Sequence, residues 1–523
     1  CGKIGCHPGI VGKVDKSLMS SLRGIISVDK WVFGETADLN SIEHVKSIGQ
    51  SAAGAHLRNL CAGCHLGNEK TKTGTSAWLE RGGGCLACHL TYDKNALATL
   101  NQMRGRAKSV NVLPQFHPSI NLDISNDKCK SCHSRSGRIS MNYEGWHETE
   151  LKPEQVKGRD NYQVLPDKRV FVKMPADIHH QKGMLCVDCH GSYELMGDGK
   201  AYAHKEEAVK IQCSDCHTLK ANHRKLLAET DQETQLIAWS RKFKTEGVEV
   251  ILTQKDAKPL LNTIVQEQGL KLSMIKKSGA GTVVMKPPAK ACSEGKAHAR
   301  LSCEACHTAW APQCIGCHNS YESQTMGFDM LKNKTRKGTW IEHTTEGMAE
   351  LPVLGIDASD KTTANGRVSA FTPGMILTID KASFKQGEKQ VFHRLYAPSA
   401  AHTTQREGRS CTSCHNDPLA IGYGRGKLSY SAAGKWTFDP LYQNNKYDGL
   451  PEDSWTGFLQ ERTGQASTRK GMRPFNLAEQ KRILTAGACL TCHQPNSAVM
   501  KRSLVDFDKT ISGRSKRCVM PKF

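Results

Sequence analysis

The chain has 523 residues and a formal net charge of +21, with only 38% hydrophobic and 6% aromatic residues. This length corresponds to about two to four domains, and apolar side chains alone are too few to fill their interiors. The basic residues form no nucleic-acid-binding motif and are not interleaved with aromatic residues, which argues against nucleic acid as a partner. No stretch of the sequence predicts a transmembrane helix.

The chain begins with CGKIGCH, in which a histidine directly follows the second cysteine. Nine copies of the shorter pattern C-x-x-C-H come after it: CAGCH at 61–65, CLACH at 85–89, CKSCH at 129–133, CVDCH at 186–190, CSDCH at 213–217, CEACH at 303–307, CIGCH at 314–318, CTSCH at 411–415 and CLTCH at 489–493. This pattern is the attachment signature of c-type haem, whose iron the histidine ligates. A single C-x-x-C also fits a redox dithiol or half of a zinc site, but nine copies followed at once by histidine favour haem. The sequence therefore predicts nine haem c groups.

The opening stretch predicts a tenth haem, because it keeps the adjacency of cysteine and histidine with a loop two residues longer. It resembles the C-x4-C-H sites of small tetrahaem cytochromes from sulfate reducers. Two other interpretations stay open: a disulfide between Cys1 and Cys6, and a mature lipoprotein in which Cys1 carries the lipid. Cys292 and Cys518 are left over, either as a disulfide or as two free thiols.

Haem attachment assigns roles to two sets of residues. The predicted thioether cysteines are Cys1, Cys6, Cys61, Cys64, Cys85, Cys88, Cys129, Cys132, Cys186, Cys189, Cys213, Cys216, Cys303, Cys306, Cys314, Cys317, Cys411, Cys414, Cys489 and Cys492. The predicted proximal iron ligands are His7, His65, His89, His133, His190, His217, His307, His318, His415 and His493. Because the propionates leave each haem with about one net negative charge, ten haems offset roughly half of the basic excess.

The motifs divide the chain into five regions. These are a haem-dense core at 1–223 with six sites, an insertion without sites at 224–291, a closely spaced pair at 292–320, a second segment without sites at 321–400, and a two-haem region at 401–523. The first insertion predicts a helix and short strands within VEVILTQ, KLSMIKK and GTVVMKPP, and the second contains strand-like GMILTID. Since porphyrins supply much of the buried apolar surface, we expect a mainly α and irregular multihaem cytochrome c fold. It wraps around a chain of stacked haems and carries small β-rich insertions.

A low-spin haem needs a second axial ligand, and twelve histidines lie outside the attachment motifs. Several stand a few residues before a haem cysteine, as expected where one attachment loop passes the distal face of a neighbouring haem. Besides His179 and His180, the candidate distal ligands are His44, His56, His117, His147, His204, His223, His298, His343, His393 and His402.

Residues 176–217, ADIHHQKGMLCVDCHGSYELMGDGKAYAHKEEAVKIQCSDCH, resemble the segment around the fourth and fifth haems of pentahaem cytochrome c nitrite reductases. That family has an Ile-His before Cys-x-Asp-Cys-His, then a Gly-Lys-x-Tyr-x-x-His run and another attachment motif. The resemblance implies that His179, with His180 as an offset candidate, stands over the catalytic haem. It also implies that His204 is the distal ligand of a low-spin haem.

Counting back along the chain, CKSCH resembles the third haem motif of that family, CLACH the second and CAGCH the catalytic one. The resemblance therefore implies catalytic roles for His65 and for Tyr143, the nearest match to a tyrosine that reaches the catalytic pocket. Two positions depart from the family pattern. His65 stands where the family has a lysine ligand, and Arg58 lies much closer to the motif than the active-site arginine of the family.

With CGKIGCH as the first haem, the motif order resembles the octahaem tetrathionate and sulfite reductases and hydroxylamine oxidoreductase. With nine or ten haems it is similar to the cell-surface terminal reductases of Gram-positive metal-reducing bacteria. The resemblance implies an extracytoplasmic protein, at the cell surface or in the periplasm, with other c-type cytochromes as electron donors. The implied acceptors are extracellular metal oxides, soluble shuttles or small nitrogen and sulfur oxyanions. Whether the protein is an oligomer stays open.

Two functions follow from these patterns. In the first, the protein is a terminal reductase of anaerobic respiration, in which electrons pass through bis-histidine haems to a haem with an open iron position and to exposed haem edges. Tyr143 and His179 then donate hydrogen bonds and protons to the substrate. In the second, every iron is six-coordinate, and the protein is a pure electron conduit or nanowire-type cytochrome.

Overall fold

The computed structural model describes residues 2, 7–70, 81–91, 94, 98, 102, 119–135, 139–289, 296–344, 346–360, 363, 365–462 and 466–523. The predictions made for Cys1, Cys6, His117 and Cys292 lie outside the described residues.

Most of the described helices are only one or two turns long. They are α1 (Pro8–Lys16), α2 (Leu18–Ser21), α3 (Arg23–Val32), α4 (Ala52–Leu60), α5 (Leu86–His89), α6 (Asp127–His133), α7 (Ile139–Tyr143), α8 (Ile178–Gln181), α9 (Cys186–Cys189), α10 (Ser192–Leu195), α11 (Lys205–Ala208), α12 (Cys213–Cys216), α13 (Gln232–Ser240), α14 (Cys303–His307), α15 (Thr412–His415), α16 (Pro418–Ile421), α17 (Leu477–Leu490), α18 (Ala498–Val505) and α19 (Phe507–Ser512). Many of them coincide with an attachment motif, which accounts for their length.

The strands are concentrated outside the haem-dense core. They are β1 (Leu90–Thr91), β2 (Ser119–Ile120), β3 (Trp146–Thr149), β4 (Tyr162–Val164), β5 (Val170–Lys173), β6 (Arg224–Leu226), β7 (Glu249–Leu252), β8 (Pro259–Gln266), β9 (Lys271–Ile275), β10 (Thr282–Val284), β11 (Ala311–Ile315), β12 (Cys317–Asp329), β13 (Lys334–His343), β14 (Glu346–Glu350), β15 (Val353–Asp357), β16 (Arg367–Asp380), β17 (Val391–Pro398), β18 (Gly426–Tyr430), β19 (Trp436–Pro440) and β20 (Met472–Arg473).

Two larger sheets hold most of these strands. The first is antiparallel, in the order β10-β9-β8-β7-β6, and the second runs β13-β12-β16-β15-β20 with β17 paired to β16. Only the pairing of β12 with β16 is parallel among the described ladders. The remaining sheets are small: β3-β5-β4, β1-β2, β11-β14 and β18-β19.

The buried apolar residues form several small cores, and cysteines of the attachment motifs are part of them. One apolar face of the first sheet, including Ile251 and Met274, packs against Cys189 and Cys216. A second core around Tyr423, Trp436 and Leu484 includes Cys414, and a third around Ile26 and Leu57 includes Cys61. The β-rich insertions thus support the attachment motifs directly.

The structure is about 30% helix and 24% strand, so strands make up more of the chain than short insertions alone would supply. The strands predicted within VEVILTQ, KLSMIKK and GTVVMKPP are present as β7, β9 and β10, and GMILTID lies in β16. The wrapping of a mainly helical chain around haems stays a prediction, as do the five domain boundaries. None of the described helices is both long and apolar enough to cross a bilayer.

A buried arginine of β17 fixes the loop between β19 and β20. The Arg394 side chain is fully buried, donates to both carboxylate oxygens of Asp448 at 2.7 and 2.9 Å, and donates to the carbonyls of Pro451, Glu452 and Ser454. Such a charge is tolerated in a protein interior only when it is paired and hydrogen-bonded.

We expect replacement of Asp448 by asparagine to lower the free energy of unfolding by about 3–5 kcal/mol, because the Arg394 charge stays buried without its partner. Denaturant titration measures this loss. The control is Glu267→Gln, which breaks the exposed pair of Glu267 and Lys271 and should change stability by less than about 1 kcal/mol. Equal effects of the two substitutions would contradict this account.

The same pair predicts a pH dependence. Burial acts to raise the pKa of Asp448, but the hydrogen bond and charge of Arg394 outweigh it and hold the pKa below its ordinary value. A lowered folded-state pKa stabilises the fold fully above the unfolded-state value of about 3.9, and the contribution disappears as the pH falls through the folded-state pKa. The difference in stability between wild type and Asp448→Asn should therefore shrink in acid.

Candidate haem-binding sites

One helical turn brings the two cysteines and the histidine of an attachment motif to one side of the backbone. The histidine N–H donates to the carbonyl of the first cysteine at 3.0 Å in 85–89, 2.9 Å in 186–190, 2.8 Å in 213–217 and 2.9 Å in 411–415. Residues three and four apart in a helix share a face, so both sulfurs and the imidazole point the same way. This explains why the chemistry needs C-x-x-C-H spacing.

The two motifs that contain aspartate also cap their own helical turns. Asp188 accepts a hydrogen bond from the Leu185 N–H at 2.7 Å, and Asp215 accepts one from the Gln212 N–H at 2.8 Å. Both carboxylates are buried, and each satisfies the backbone N–H of the residue that precedes its turn. The aspartates therefore have a structural role that the sequence did not reveal.

Five of the predicted proximal histidines share a hydrogen-bonding pattern that fixes one ring nitrogen. Nδ1 lies 2.9 Å from the Asn121 carbonyl in His89, 2.7 Å from the Lys286 carbonyl in His217, 3.1 Å from the Gln405 carbonyl in His307, 3.0 Å from the Ile483 carbonyl in His415 and 2.6 Å from the Ala62 carbonyl in His65. A carbonyl can only accept, so Nδ1 carries the proton and Nε2 keeps its lone pair. A partner of this kind orients a metal-ligating imidazole.

Three proximal histidines face a second imidazole at the spacing that a shared iron requires. The ring centroids are 6.0 Å apart for His190 and His402, 6.1 Å for His179 and His217, and 6.2 Å for His298 and His415. A ligating nitrogen lies about 2 Å from its metal and about 1 Å from its ring centroid, so two imidazoles on opposite sides of one metal have centroids about 6 Å apart. These pairs fit bis-histidine ligation of a haem.

The paired histidines are mostly held in the neutral form that binds metals. Burial lowers the pKa of His402 to about 4 and also lowers the pKa of His298 and His415. Neutral imidazole is the ligand form at a metal site. For His190, burial acts to lower the pKa, but the hydrogen bond and charge of Glu194 raise it, and such a carboxylate partner increases the basicity of a ligating imidazole.

Two further candidates lie largely out of solvent, each beside a group that can orient its ring. His56 Nδ1 lies 3.0 Å from Asp29 Oδ1, and the His147 ring contacts the Gly347 backbone. A partner on one ring nitrogen leaves the other nitrogen for a metal. His147 lies beside the Gly347 backbone, which pairs with Cys314 across β11 and β14. It is therefore a distal candidate for the 314–318 motif.

Cysteines of different motifs lie near one another and relate the motifs in space. The Cys64 and Cys132 side chains are neighbours, as are those of Cys129 and Cys186 and those of Cys213 and Cys303. Cys189 and Cys216 lie within electrostatic range of each other, as do Cys306 and Cys414. The resulting spatial order is 61–65, 129–133, 186–190, 213–217, 303–307 and 411–415, with 85–89 beside 129–133 through the Cys88 and Cys129 thiols.

The middle of this series is the part of the chain that a known family matches. The family described as cytochrome c554 and c-prime matches residues 128–218, which contain three of the attachment motifs. The chain is a multihaem c-type cytochrome. It binds haem c and transfers electrons, while the number of haems stays a prediction. No curated protein gives a significant match over its sequence, and no solved structure gives one either.

The four residues predicted to form the catalytic site do not share one place in this cytochrome. His179 faces His217, and its Nδ1 lies 2.8 Å from Asp177 Oδ1. The Tyr143 ring contacts His180 at 5.3 Å and His402 at 6.5 Å between centroids.

Tyr143 and His180 therefore lie at the 186–190 motif. The Tyr143 hydroxyl donates to the Met184 carbonyl at 2.9 Å, and burial raises its pKa above the ordinary value. His65 is buried at its own motif, outside the three imidazole pairs. A catalytic role for each of these residues stays a prediction.

The other distal candidates differ in which nitrogen is available. Nε2 lies 2.8 Å from the Leu39 carbonyl in His204 and 2.9 Å from the Val32 carbonyl in His393, so ligation through Nε2 would replace these contacts. His44 accepts from the Lys46 N–H through Nδ1, and its buried Nε2 has no hydrogen bond within the described residues. His223 is exposed.

The 314–318 motif is built differently from the other motifs. Its residues lie in β11 and β12 rather than in a helical turn, and the His318 ring contacts the Thr378 hydroxyl. The distal candidate His343 stands directly opposite His318 in the β12–β13 ladder. Opposed side chains share one face of a sheet. These two exposed imidazoles therefore lie side by side and are not arranged as the two axial ligands of one haem.

Glu194 and Asp177 are site residues that the sequence analysis missed. Glu194 Oε2 lies 2.5 Å from His190 Nδ1, and Asp177 orients His179 through both its ring nitrogen and its backbone N–H. The sequence spacing could have indicated both contacts. Glu194 lies four residues after His190 and Asp177 lies two residues before His179, and side chains at these spacings can meet.

Proposed function

We propose that this cytochrome works outside the cytoplasm as a terminal reductase, at the cell surface or in the periplasm. The observation that carries the proposal is the series of motifs from 61–65 to 411–415, in which each motif has a cysteine near a cysteine of the next. Such a series suits passage of electrons from its first motif to its last. Other c-type cytochromes are the proposed donors.

The proposed open-site haem is the one attached at 61–65. His65 lies outside the three imidazole pairs, and the resemblance gives this motif the catalytic position. When bound there, haem supplies an iron that can hold a small nitrogen or sulfur oxyanion, such as nitrite or sulfite, or neutral hydroxylamine. His65, whose Nδ1 is hydrogen-bonded to the Ala62 carbonyl, would ligate the iron through its other ring nitrogen. Tyr143 and His180 are better placed to serve the 186–190 haem.

Electrons are also proposed to leave at exposed haem edges toward metal oxides and soluble shuttles. Cys213, Cys303 and Cys492 are exposed, which supports haem edges close to the surface at those motifs. Transfer at an edge needs no open iron position and no substrate pocket. Minerals and dissolved carriers can then be reduced by the same protein.

A pure conduit is the second candidate, and the three imidazole pairs favour it. In a conduit every iron has two axial ligands, and no substrate reaches the metal. The two functions therefore differ in the spin state of the oxidised protein and in its response to small ligands.

We expect the oxidised protein to show one high-spin signal that changes when nitrite or hydroxylamine is added, and to make ammonium from hydroxylamine with a reduced dye. The His65→Ala variant should lose this response, because it removes the proximal ligand of the proposed open haem. The control, His223→Ala, changes an exposed histidine outside the imidazole pairs and should retain it. A wholly low-spin protein that ignores both ligands would leave the conduit as the function.

A further inference from the structure

A cleft lined by basic side chains adjoins the His298 and His415 pair. Its volume is about 730 Å³, and Arg300, Arg473 and Arg482 stand on its walls. A second cleft of about 530 Å³ shares Arg473 with it. Six basic and three acidic side chains line the two clefts together, so the lining carries a positive charge.

The walls of the first cleft are the same segments that hold the paired imidazoles. Arg300 follows His298 by two residues, and the Leu301 N–H donates to the His298 carbonyl at 3.0 Å. The opposite wall is the first turn of α17, and Ile483 in the next turn accepts the hydrogen bond of His415 Nδ1 at 3.0 Å. A molecule in this cleft would lie beside the haem of the 411–415 motif.

The charges of two of the arginines are poorly compensated. Arg300 donates to the neutral carbonyls of Gly366 and Asn365 at 2.8 and 2.5 Å, and its contact with the Glu479 carboxylate is longer, at 3.7 Å. Glu479 instead pairs with Arg473 at 2.7 and 3.1 Å. Arg482 makes a two-point pair with the largely exposed Asp508 carboxylate at 3.1 and 3.2 Å, and solvent screens a pair whose two groups are this exposed.

We propose that this cleft binds an anionic organic electron acceptor, one that carries carboxylate, sulfonate or phosphate groups. Arginine recognises such groups through several N–H donors at once. The proposal rests on the terminal reductase function and names an acceptor site for it. With a disulfonated quinone as acceptor, two electrons come from two reduced irons of the haem chain, which become ferric. Two protons come from solvent, and the quinone becomes a hydroquinone.

Binding is tested first without electron transfer, by calorimetry of the holoprotein with redox-inert naphthalene-2,6-disulfonate. We expect Arg482→Glu and Arg300→Gln each to weaken binding about tenfold or more, since each removes a charge-assisted contact. Arg159→Gln is the matched control, because Arg159 is exposed and lies in the loop before β4 rather than on the cleft. Its binding should equal that of the wild type.

Steady-state reduction of anthraquinone-2,6-disulfonate and of the uncharged anthraquinone ring then tests the acceptor role. We expect Arg482→Glu to raise KM for the disulfonate only. Wild-type binding that is absent, or unaffected by both cleft variants, overturns the proposal and leaves the terminal reductase intact. The proposal is also overturned if Arg300→Gln shifts the reduction potential of one haem without changing the affinity for the disulfonate. Arg300 would then tune the haem rather than bind the acceptor. A wild type that binds the disulfonate but reduces no quinone overturns the reductase function and the acceptor role together.

Discussion

Replacement of His402 by alanine is expected to convert one low-spin haem into a high-spin haem and to raise its reduction potential by on the order of 100 mV. The His402 and His190 rings face each other at 6.0 Å with planes inclined by only 30°. Without His402, the iron at 186–190 keeps a single imidazole. A weaker ligand field gives the high-spin state, and the loss of a donor ligand favours ferrous iron.

Magnetic resonance of the oxidised protein and a spectroscopic redox titration measure the two effects. The His223→Ala variant is the control, because that histidine is exposed and outside the imidazole pairs, and its spectrum should match the wild type. Added imidazole should restore the low-spin signal of His402→Ala by filling the vacated space. An unchanged spin state in His402→Ala would show that the two rings are neighbours without a shared iron.

Most of the attachment turns were predictable because each is complete within five residues. Spacing alone sets which atoms share a face of a helical turn, while the thioether and proximal-ligand assignments stay predictions. The strands of the first insertion were predictable too, because β-branched runs end there at glycine and proline. Local rules were sufficient wherever the chemistry was local.

The pairing of distal histidines was not predictable in the same way. His402 lies in a different region of the chain from His190, and His298 from His415, so their meeting depends on the packing of whole segments. For His179 the resemblance predicts a place over the catalytic haem, and this stays a prediction. The fold orients its ring toward His217 through Asp177, a contact that the sequence pattern did not indicate.

The second sheet is a further feature that sequence reasoning underestimated. Residues 321–400 contain polar and apolar residues without a sustained alternation, and only one strand was anticipated there. Three of its strands pair with neighbours distant in sequence, including the parallel contact of β12 with β16. Non-local ladders of this kind gain their stability from cross-strand packing rather than from local propensity.

The spatial order of the motifs departs from their order along the chain. The 85–89 motif lies beside 61–65, where the Gly84 N–H donates to the Leu66 carbonyl at 2.8 Å, and also beside 129–133. Because 61–65 adjoins 129–133 directly as well, 85–89 forms a branch that electrons can bypass, and 129–133 is the junction. Beyond the junction the motifs follow one another without branching, as a single file through 186–190. Electron transfer along this file requires the haem of every motif in it, whereas it does not require the haem of the 85–89 branch.

Substitution of Cys186 and Cys189 by serine is therefore expected to divide the protein into two electronically separate halves. The variant loses the covalent anchors of the haem that links 129–133 to 213–217. A protein film attached to an electrode through the exposed Cys518 thiol then receives electrons at its C-terminal end only. In voltammetry the haems on the far side of the gap should exchange electrons slower by orders of magnitude, so the rapidly transferred charge falls by several haem equivalents.

The matched control is the pair Cys85→Ser and Cys88→Ser, which removes the haem of the branch. Both variants should lose the mass of one haem, but the control should lose only one haem equivalent of rapid charge because the file remains intact. A near-wild-type far-ultraviolet circular dichroism spectrum would show that each variant is folded. If both lost the same charge, electrons would have to bypass 186–190, and the contacts between cysteines would not define the path.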